Sequence, residues 1–283
     1  MTIFLKFFVL FIFLSSLLQS STLDVKQIQN DFYDTVIIKP LYIKYKEKSL
    51  VDKALEKRAK KFRIYNIYWK KAKLLLKKHT ESLSSSQFLT LVDLSKQVLL
   101  LVLWDEEEKD FHPVGFDFIS SGNINREKNV KAGEDHYLKT PTGFFDIKSG
   151  WRSDGKTNED NVTFPYGKKD SFVFYFGEQN SLRYNTFDKN NTKVKNPKKY
   201  KLIKDKLKFA MHAHVSSAPL GTPRSHGCIR MSNELDYYLD NNLVFFKNLY
   251  DGNKWIHPYK KPPTNPKNYN LAGEFMLVVN SVY

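Results

Sequence analysis

Hydrophobic and polar positions follow two patterns along the chain, and the change lies near residue 96. Between Ser49 and His79, apolar side chains recur at three- and four-residue spacings among lysines and arginines, which predicts one or two amphipathic helices. The polar run from Ser82 to Gln87 predicts a break, and the apolar residues Phe88 to Leu94 predict a further helix after it. Residues 24–95 are therefore expected to be helical.

After residue 96 the pattern is typical of strands. The run from Gln97 to Trp104 is continuously apolar, as in a buried strand. Further strands are predicted at Phe111–Ile119, Gly143–Ile147, Phe172–Phe176, Leu207–His214 and Glu274–Tyr283. The polar stretches 154–170 and 180–206 are expected to be surface loops, and Ser232–Asn242 a helix capped by Ser232 or Asn233. The predicted fold class is α+β, with a helical N-terminal module before a mainly β domain.

Composition excludes several classes of protein. Of the 283 residues, 41% are hydrophobic and 15% aromatic, which is too many for a disordered chain. With Cys228 as its single cysteine, the chain can form neither an intrachain disulfide nor a zinc site built from several thiolates. The net charge is +15, from 45 basic and 30 acidic residues. The basic helical faces are either solvated or attract anionic wall polymer or a membrane surface, and no nucleic-acid partner is expected.

The first residues predict export. A single lysine in Met1–Lys6 precedes the apolar run Phe7–Leu18, which has the length of a signal-peptide core and is short for a membrane span. We expect a signal peptide over residues 1–21, cleaved between Leu18 and Thr22, with an uncleaved anchor as the alternative. The mature protein is then expected in the periplasm or cell envelope, where an oxidisable thiol needs a reason to be kept.

The segment from Met211 to Met231 combines the one thiol with several bases. A thiol reacts as the thiolate, so it needs a nearby base or positive charge, and His212, His214 and His226 are the candidates. A chain reversal between residues 219 and 223 would bring His212 beside Cys228. Gly227 lets backbone N–H groups approach a developing oxyanion. These residues predict acyl transfer through a thioester, and an activated thiol is expected to alkylate faster than a free one.

The order of these residues resembles the catalytic signature of the L,D-transpeptidase (YkuD-like) family. Ser225–Met231 reads SHGCIRM, and His212 lies sixteen residues before the cysteine. Thr140–Ile147, TPTGFFDI, is similar to another segment of that domain. The resemblance implies a β-sandwich or barrel-like catalytic domain with short helices over 96–283, with its motif core at 97–250 and its closing strand at 274–283, after a helical module at 22–95.

The resemblance also implies a role for each motif residue. Cys228 would attack the carbonyl of the third residue of a peptidoglycan stem tetrapeptide, expel the terminal D-amino acid and pass the acyl group to an amine. His212 would be the general base, oriented by the backbone carbonyl of Ala213. Backbone N–H groups of Gly227 and Cys228, together with His226, would form the oxyanion hole.

Three more residues are candidates on the substrate side, and one of them, His214, is a second imidazole at a position where the family does not require one. Arg230 would bind either the substrate carboxylate or a structural carbonyl. His214 lies two residues from His212, so both would face the same cleft if the segment is a strand. Ser225 is the third candidate. The insertion at 154–206 either forms a lid or an acceptor-side wall of the cleft, or has no role at the site.

Several alternatives stay open. The same scaffold could act as an L,D-carboxypeptidase, in which water replaces the amine acceptor, or the protein could be a non-catalytic envelope-binding module. No metal or organic cofactor is expected. A metal site of His212, His214, His226 and Cys228 is disfavoured because no acidic ligand lies near them in sequence. The oligomeric state is not predicted.

Overall fold

The computed structural model describes residues 23–123, 139–158, 162–185, 187–190, 192–215, 219–251, 254–255 and 261–283. The predicted signal peptide, residues 1–21, lies outside them. Among the described residues, the helices all fall short of the length and apolar character needed to cross a membrane.

The N-terminal part is helical, as predicted, as far as Ser82. A π-helical turn, Tyr33–Ile38, follows the first helix, and a 3₁₀ turn, Lys77–Ser82, follows the last. The four α-helices are α1 (Val25–Phe32), α2 (Lys39–Tyr45), α3 (Lys48–Lys61) and α4 (Asn66–Leu76). The amphipathic pattern of Ser49–His79 thus forms two helices, separated by extended backbone at Phe62 and Tyr65.

A five-stranded sheet follows, with strand order β3-β2-β1-β11-β4. Its strands are β1 (Gln87–Asp93), β2 (Val98–Asp105), β3 (Asp110–Phe118), β4 (Gly143–Asp146) and β11 (Phe275–Val279). The central pair β1–β11 is parallel and the other pairs are antiparallel. The closing strand predicted within 274–283 therefore lies inside this sheet, between β1 and β4.

A second sheet has four strands in the order β5-β6-β7-β8. These are β5 (Ser149–Arg152), β6 (Phe172–Asn185), β7 (Lys201–Ala213) and β8 (Ile229–Met231). Helix α5 (Asn233–Asn241) follows β8, and its N-cap is Ser232, whose Oγ accepts a hydrogen bond from the Leu235 N–H at 3.1 Å. A short hairpin, β9 (Tyr250–Asp251) and β10 (Lys254–Trp255), completes the strands described.

Both faces of the five-stranded sheet are covered, and this explains the apolar run in β2. Alternate residues of β2 enter two different cores. One core, with Leu99 and Leu101, contains residues of the second sheet and α5, whereas the other, with Leu100 and Val102, contains Tyr68 of helix α4. When both faces of a strand are buried, apolar residues occupy every position and do not alternate with polar ones. The N-terminal helices therefore complete the core of the β domain.

Two sequence predictions were wrong. Phe88–Leu94 belongs to strand β1 and not to a helix, because every residue of β1 is buried and the apolar run shows no period. The sheet thus begins at Gln87, upstream of the predicted boundary at 95/96. The predicted loop 180–206 contains the ends of β6 and β7, which pair from Glu178–Lys208 to Asn185–Lys201. These strand ends pair only with each other among the described strands, and Lys201, Leu202 and Lys204 are exposed, so the sequence is polar and resembles a loop.

Candidate active site

Strands β7 and β8 bring the candidate nucleophile and base to one face of the second sheet. They pair in parallel, with His212 opposite Arg230 and Met211 opposite Ile229. Met211 and Ile229 are fully buried in the core, so the alternate positions lie on the other face. Cys228 immediately precedes β8, on the same face as Arg230, and its thiol has a hydrogen bond with the backbone of Ala210. The chain reversal predicted from the sequence is thus present.

The His212 ring is buried and fixed by its own strand. Its Nδ1 lies 2.8 Å from the carbonyl oxygen of Ala213, the contact expected from the sequence. A carbonyl oxygen only accepts hydrogen bonds, so Nδ1 carries the proton in the neutral ring and Nε2 is left as the basic nitrogen. The ring is 3% exposed. This geometry is suited to a neutral imidazole that accepts a proton at Nε2.

Burial also determines the charge of the pair. It lowers the pKa of His212 to about 4, against the opposing effect of the hydrogen bond with Ala213. Burial raises the pKa of the Cys228 thiol, although the backbone of Ala210 and the charge of Arg230 act in the opposite direction. Both groups are therefore neutral near pH 7 in the free protein. The fast alkylation expected from the sequence does not agree with these pKa directions.

The loop that contains the cysteine is held by the hydroxyls of Ser225 and Thr140. Ser225 Oγ accepts a hydrogen bond from the Gly227 N–H at 3.0 Å and donates to the carbonyl oxygen of Cys228. Thr140, from the TPTG segment, donates to the carbonyl oxygen of Gly227 at 2.7 Å. Ser225 is 2% exposed and its hydroxyl shapes the loop, and its role in substrate binding stays a prediction.

Gly227 is required by its backbone conformation. Its φ is 124°, a region that side chains with a Cβ rarely adopt, so the Cys228 loop needs glycine there. Its N–H donates to Ser225 Oγ. The oxyanion role predicted for this N–H is thus not available in the free protein. His226, the other residue predicted for the oxyanion region, has an exposed side chain.

Tyr166 was missed by the sequence analysis and lies against the base. Its ring centroid is 5.0 Å from that of His212 and 5.2 Å from that of Trp151, which it meets edge to face. The loop that contains Tyr166 is held beside the end of β7 by two backbone hydrogen bonds, of 3.0 and 3.2 Å, between Phe164 and Val215. The sequence feature that could have identified Tyr166 is the turn-forming run Phe-Pro-Tyr-Gly at 164–167, within an otherwise polar stretch.

His214 and Arg230 border the same face. The Nδ1 of His214 lies 3.3 Å from the carbonyl oxygen of Pro165, next to Tyr166. Arg230 donates from Nη1 to the carbonyl oxygen of Arg224 at 3.2 Å. Its charge acts to lower the pKa values of Cys228 and both histidines. Arg230 thus makes a structural contact and also supplies a positive charge at the site.

Helix α3 contacts both ends of the segment that carries the motif. Lys61 Nζ donates to the carbonyl oxygen of Leu220 at 3.2 Å. Arg58 donates to Asp117 Oδ1 at 2.8 Å, and Asp117 Oδ2 accepts a hydrogen bond of 2.7 Å from Ser232 Oγ. The N-terminal helices therefore fix the chain before and after the cysteine.

Metal-ligand geometry was found elsewhere among the described residues. Asp105, Glu108 and His112, at the β2–β3 turn, place potential ligand atoms within 4.8 Å of one another. The Asp105 carboxylate already accepts hydrogen bonds from backbone N–H groups, and His112 Nε2 lies 3.1 Å from Glu108. Cys228 and the histidines around it are not part of this group.

Comparison with known proteins gives a family match. The family model of the L,D-transpeptidase catalytic domain (YkuD) matches residues 87–244, more than half of the chain, and includes both His212 and Cys228. The match begins at the first residue of β1, in agreement with the observed start of the sheet. No curated protein sequence matches this chain.

Solved structures with some similarity to this chain include the following three. Bd1075 from Bdellovibrio bacteriovorus is 17% identical, with 70% of this chain and 49% of that chain covered and a TM-score of 0.35. An L,D-transpeptidase from Xylanimonas cellulosilytica is 20% identical, with 72% and 68% covered and a TM-score of 0.31. The helical cell shape determining protein Pgp2 from Campylobacter jejuni is 14% identical, with 70% and 49% covered and a TM-score of 0.33.

The chain spans about half the length of Bd1075 and Pgp2. These TM-scores carry no argument about activity, and the assignment rests on the family model. The match over 87–244 shows that the chain belongs to the L,D-transpeptidase (YkuD) family, which acts on peptidoglycan stem peptides.

Proposed function

We propose that this protein is an exported cysteine acyltransferase that forms a thioester between Cys228 and a peptidoglycan stem tetrapeptide. One observation carries the proposal: His212 and Cys228 lie on one face of the β7–β8 pair, and Ala213 fixes the His212 ring in the tautomer with a free Nε2. The family match supports the substrate class.

In the acylation step, Nε2 of His212 takes the thiol proton while Sγ of Cys228 attacks the carbonyl carbon of the third stem residue. The tetrahedral intermediate then collapses, and the imidazolium returns the proton to the amine of the departing D-amino acid. The thioester remains on the cysteine. An amine acceptor next attacks the thioester carbonyl carbon and gives a proton to Nε2 of His212. The C–S bond then breaks as the new amide forms, and the imidazolium returns the proton to Sγ of Cys228.

The proposal includes no resting thiolate. Burial disfavours the charged form of both groups, as the raised pKa of Cys228 and the lowered pKa of His212 show. Proton transfer is therefore coupled to attack on a bound carbonyl, and charge develops only when substrate covers the site. The positive charge of Arg230 acts on both groups and would stabilise the anionic intermediate.

The Cys228 N–H is the donor we assign to the oxyanion. The N–H of Gly227 is held by Ser225, so its contribution requires this hydrogen bond to open on substrate binding. Tyr166, which is 43% exposed, offers an aromatic wall for the substrate beside His212. Arg230 is the group we assign to a substrate carboxylate.

The test is product analysis after incubation with disaccharide tetrapeptide. A crosslinked dimer with release of the D-amino acid establishes transfer to an amine. Tripeptide alone establishes the L,D-carboxypeptidase reaction, in which water resolves the thioester. If neither product forms while the protein stays folded, and the Cys228→Ala variant behaves in the same way, the protein is a non-catalytic binding module and the proposal fails.

Export is part of the proposal and has its own test. The apolar run Phe7–Leu18 supports a signal peptide. Mass spectrometry of the protein recovered from the envelope fraction is expected to show a mature N-terminus between residues 19 and 22. Recovery of the intact chain from the cytoplasm would contradict this part.

A further inference from the structure

The hairpin β6–β7 extends beyond the sheet to which it belongs. Strand β5 pairs with β6 only at Phe172–Tyr175, and β8 pairs with β7 only at Met211–Ala213. Beyond these positions, Glu178–Asn185 pairs with Lys201–Lys208 alone among the described strands. Eight residues of strand span about 26 Å. We call this two-stranded projection the ribbon.

The ribbon and its tip carry a large share of the charge. Residues 178–208 contain ten basic and three acidic residues, a net charge of +7 out of +15 for the chain. All nine lysines of this range are exposed, and they are Lys189, Lys193, Lys195, Lys198, Lys199, Lys201, Lys204, Lys206 and Lys208. Such a concentration of one charge on a narrow projection produces a strong local positive potential.

Part of this charge forms a stripe that leads away from the site. Lys204, Lys206 and Lys208 occupy the same face of β7 as Ala210 and His212, because side chains two apart share a face. The register shift in this hairpin lies between Tyr175 and Glu178, where β6 has the extra residue, so the alternation along β7 is continuous. We call Lys204, Lys206 and Lys208 the lysine stripe.

The stripe keeps a positive excess after its internal ion pairs. Lys206 and Lys208 both contact one carboxylate, Glu178, with Lys208 at 3.6 Å. Two of the three lysines thus share this one carboxylate, which leaves the stripe with more positive charge than Glu178 supplies negative charge. The Lys208 ammonium also lies 5.7 Å from the ring centroid of Tyr175. Tyr175 is the β6 residue that pairs with Ala210 of β7, so the stripe adjoins an aromatic residue two positions from His212 in the register.

We propose that the lysine stripe binds carboxylates of polymeric peptidoglycan, and so holds the wall polymer along the ribbon while one stem peptide occupies the cleft. This proposal rests on the proposed function for its choice of polymer. Two features favour this partner: the stripe starts about four residues from His212 along β7, and each stem peptide ends in a carboxylate. A lysine ammonium on its flexible side chain can reach carboxylates at variable positions, whereas the rigid guanidinium of arginine favours a carboxylate in one fixed bidentate geometry.

The test is binding of Cys228→Ala protein to purified, insoluble peptidoglycan, measured by co-sedimentation at low and moderate salt. The stripe variant is Lys204→Gln/Lys206→Gln/Lys208→Gln. The control variant, Lys48→Gln/Lys53→Gln/Lys70→Gln, removes the same charge from exposed positions on helices α3 and α4. Far-UV circular dichroism and thermal unfolding check that each variant is folded.

We expect the stripe variant to bind with a dissociation constant at least about tenfold higher and with a weaker salt dependence, and the control variant to change by less than about twofold. Equal loss in the two variants, or no loss in the stripe variant, overturns the proposal. So does stripe-dependent binding to vesicles of anionic phospholipid without binding to peptidoglycan. If the triple variant does not fold, the single substitution Lys204→Glu replaces it and is expected to weaken binding.

Because the binding assay uses a protein without the thiol, its outcome does not depend on thioester chemistry. Failure of the proposed function would appear as absent turnover of soluble tetrapeptide by the unmodified protein. Failure of the ribbon proposal would appear as unchanged sedimentation of the stripe variant. The two failures are therefore distinguishable.

Discussion

Burial of the His212 ring makes the stability of the protein depend on pH. In the folded protein the ring is held neutral, with its pKa lowered from 6.5 to about 4. In the unfolded chain it meets water and its pKa returns to about 6.5. One pKa unit corresponds to 1.36 kcal/mol, so the difference between the two states corresponds to about 3 kcal/mol.

The sign follows from proton binding. Between pH 6.5 and pH 4 the unfolded chain binds a proton at this residue and the folded protein does not. The stabilisation from the neutral ring is therefore complete above pH 6.5, decreases as the pH falls, and is lost below about pH 4. We expect the His212 contribution to the free energy of unfolding to decrease by about 3 kcal/mol over this range.

The assay compares urea unfolding of the unmodified protein and of His212→Asn at several pH values between 4 and 7.5. Asparagine is neutral at each pH and can still donate to the Ala213 carbonyl, and titration of all other groups cancels in the difference. The advantage of the unmodified protein over the variant is expected to shrink by about 3 kcal/mol from pH 7.5 to pH 4. His226→Asn, at an exposed position, serves as the control. A difference that stays constant with pH would refute the argument that burial keeps His212 neutral.

Three further predictions follow from buried groups. Cys228 is expected to react with iodoacetamide more slowly than free cysteine at pH 7.5, since burial raises its pKa, and a faster rate would show a resting thiolate. Arg152 donates to both carboxylate oxygens of buried Asp240, so Arg152→Met should lower the free energy of unfolding by about 3–5 kcal/mol in a urea titration, with partial recovery in Arg152→Met/Asp240→Asn. Tyr68 donates to fully buried Asp93 at 3.0 Å, and Tyr68→Phe should cost about 1.5–3 kcal/mol by the same measurement; a loss below about 0.5 kcal/mol would contradict this role.

The sequence singled out the candidate-site residues more completely than their surroundings, although their catalytic roles stay predictions. His212 and Cys228 stood out because the chemistry restricts the residue types, and because β7 is a strand whose pattern is visible in Leu207–His214. The contact between His212 and Ala213 is local, between neighbours in sequence. Tyr166 was missed because its position depends on the pairing of Phe164 with Val215, which no local pattern encodes.

The errors in the fold have a common physical origin. Sequence periodicity reports how many faces of an element are buried, and it identifies a strand only when one face is buried and the other is exposed. Strand β1 is buried on both faces and resembled a helix, whereas the ribbon, which has its lysines exposed, resembled a loop. Strands β2 and β4 and helix α5 agreed with prediction because their length, turn residues or N-cap residue were distinctive.

The role of the N-terminal helices could not be inferred from their amphipathic pattern. The pattern shows that one face is covered, but not what covers it. In the structure, Tyr68 and Ala72 enter the core with β2, and Arg58 and Lys61 hold the ends of the cysteine loop. The contacts of Arg58 and Lys61 join residues 59 and 159 positions apart, so only the folded chain shows them.

The most direct test of the central claim is a search for the acyl-enzyme. The unmodified protein is incubated briefly with disaccharide tetrapeptide, quenched in acid and analysed by intact mass and peptide mapping. We expect an adduct with the mass of the disaccharide tripeptide acyl group on Cys228, accompanied by free D-amino acid, and no adduct on Cys228→Ala. Release of the D-amino acid by Cys228→Ala at the rate of the unmodified protein would contradict the claim that Cys228 is the nucleophile.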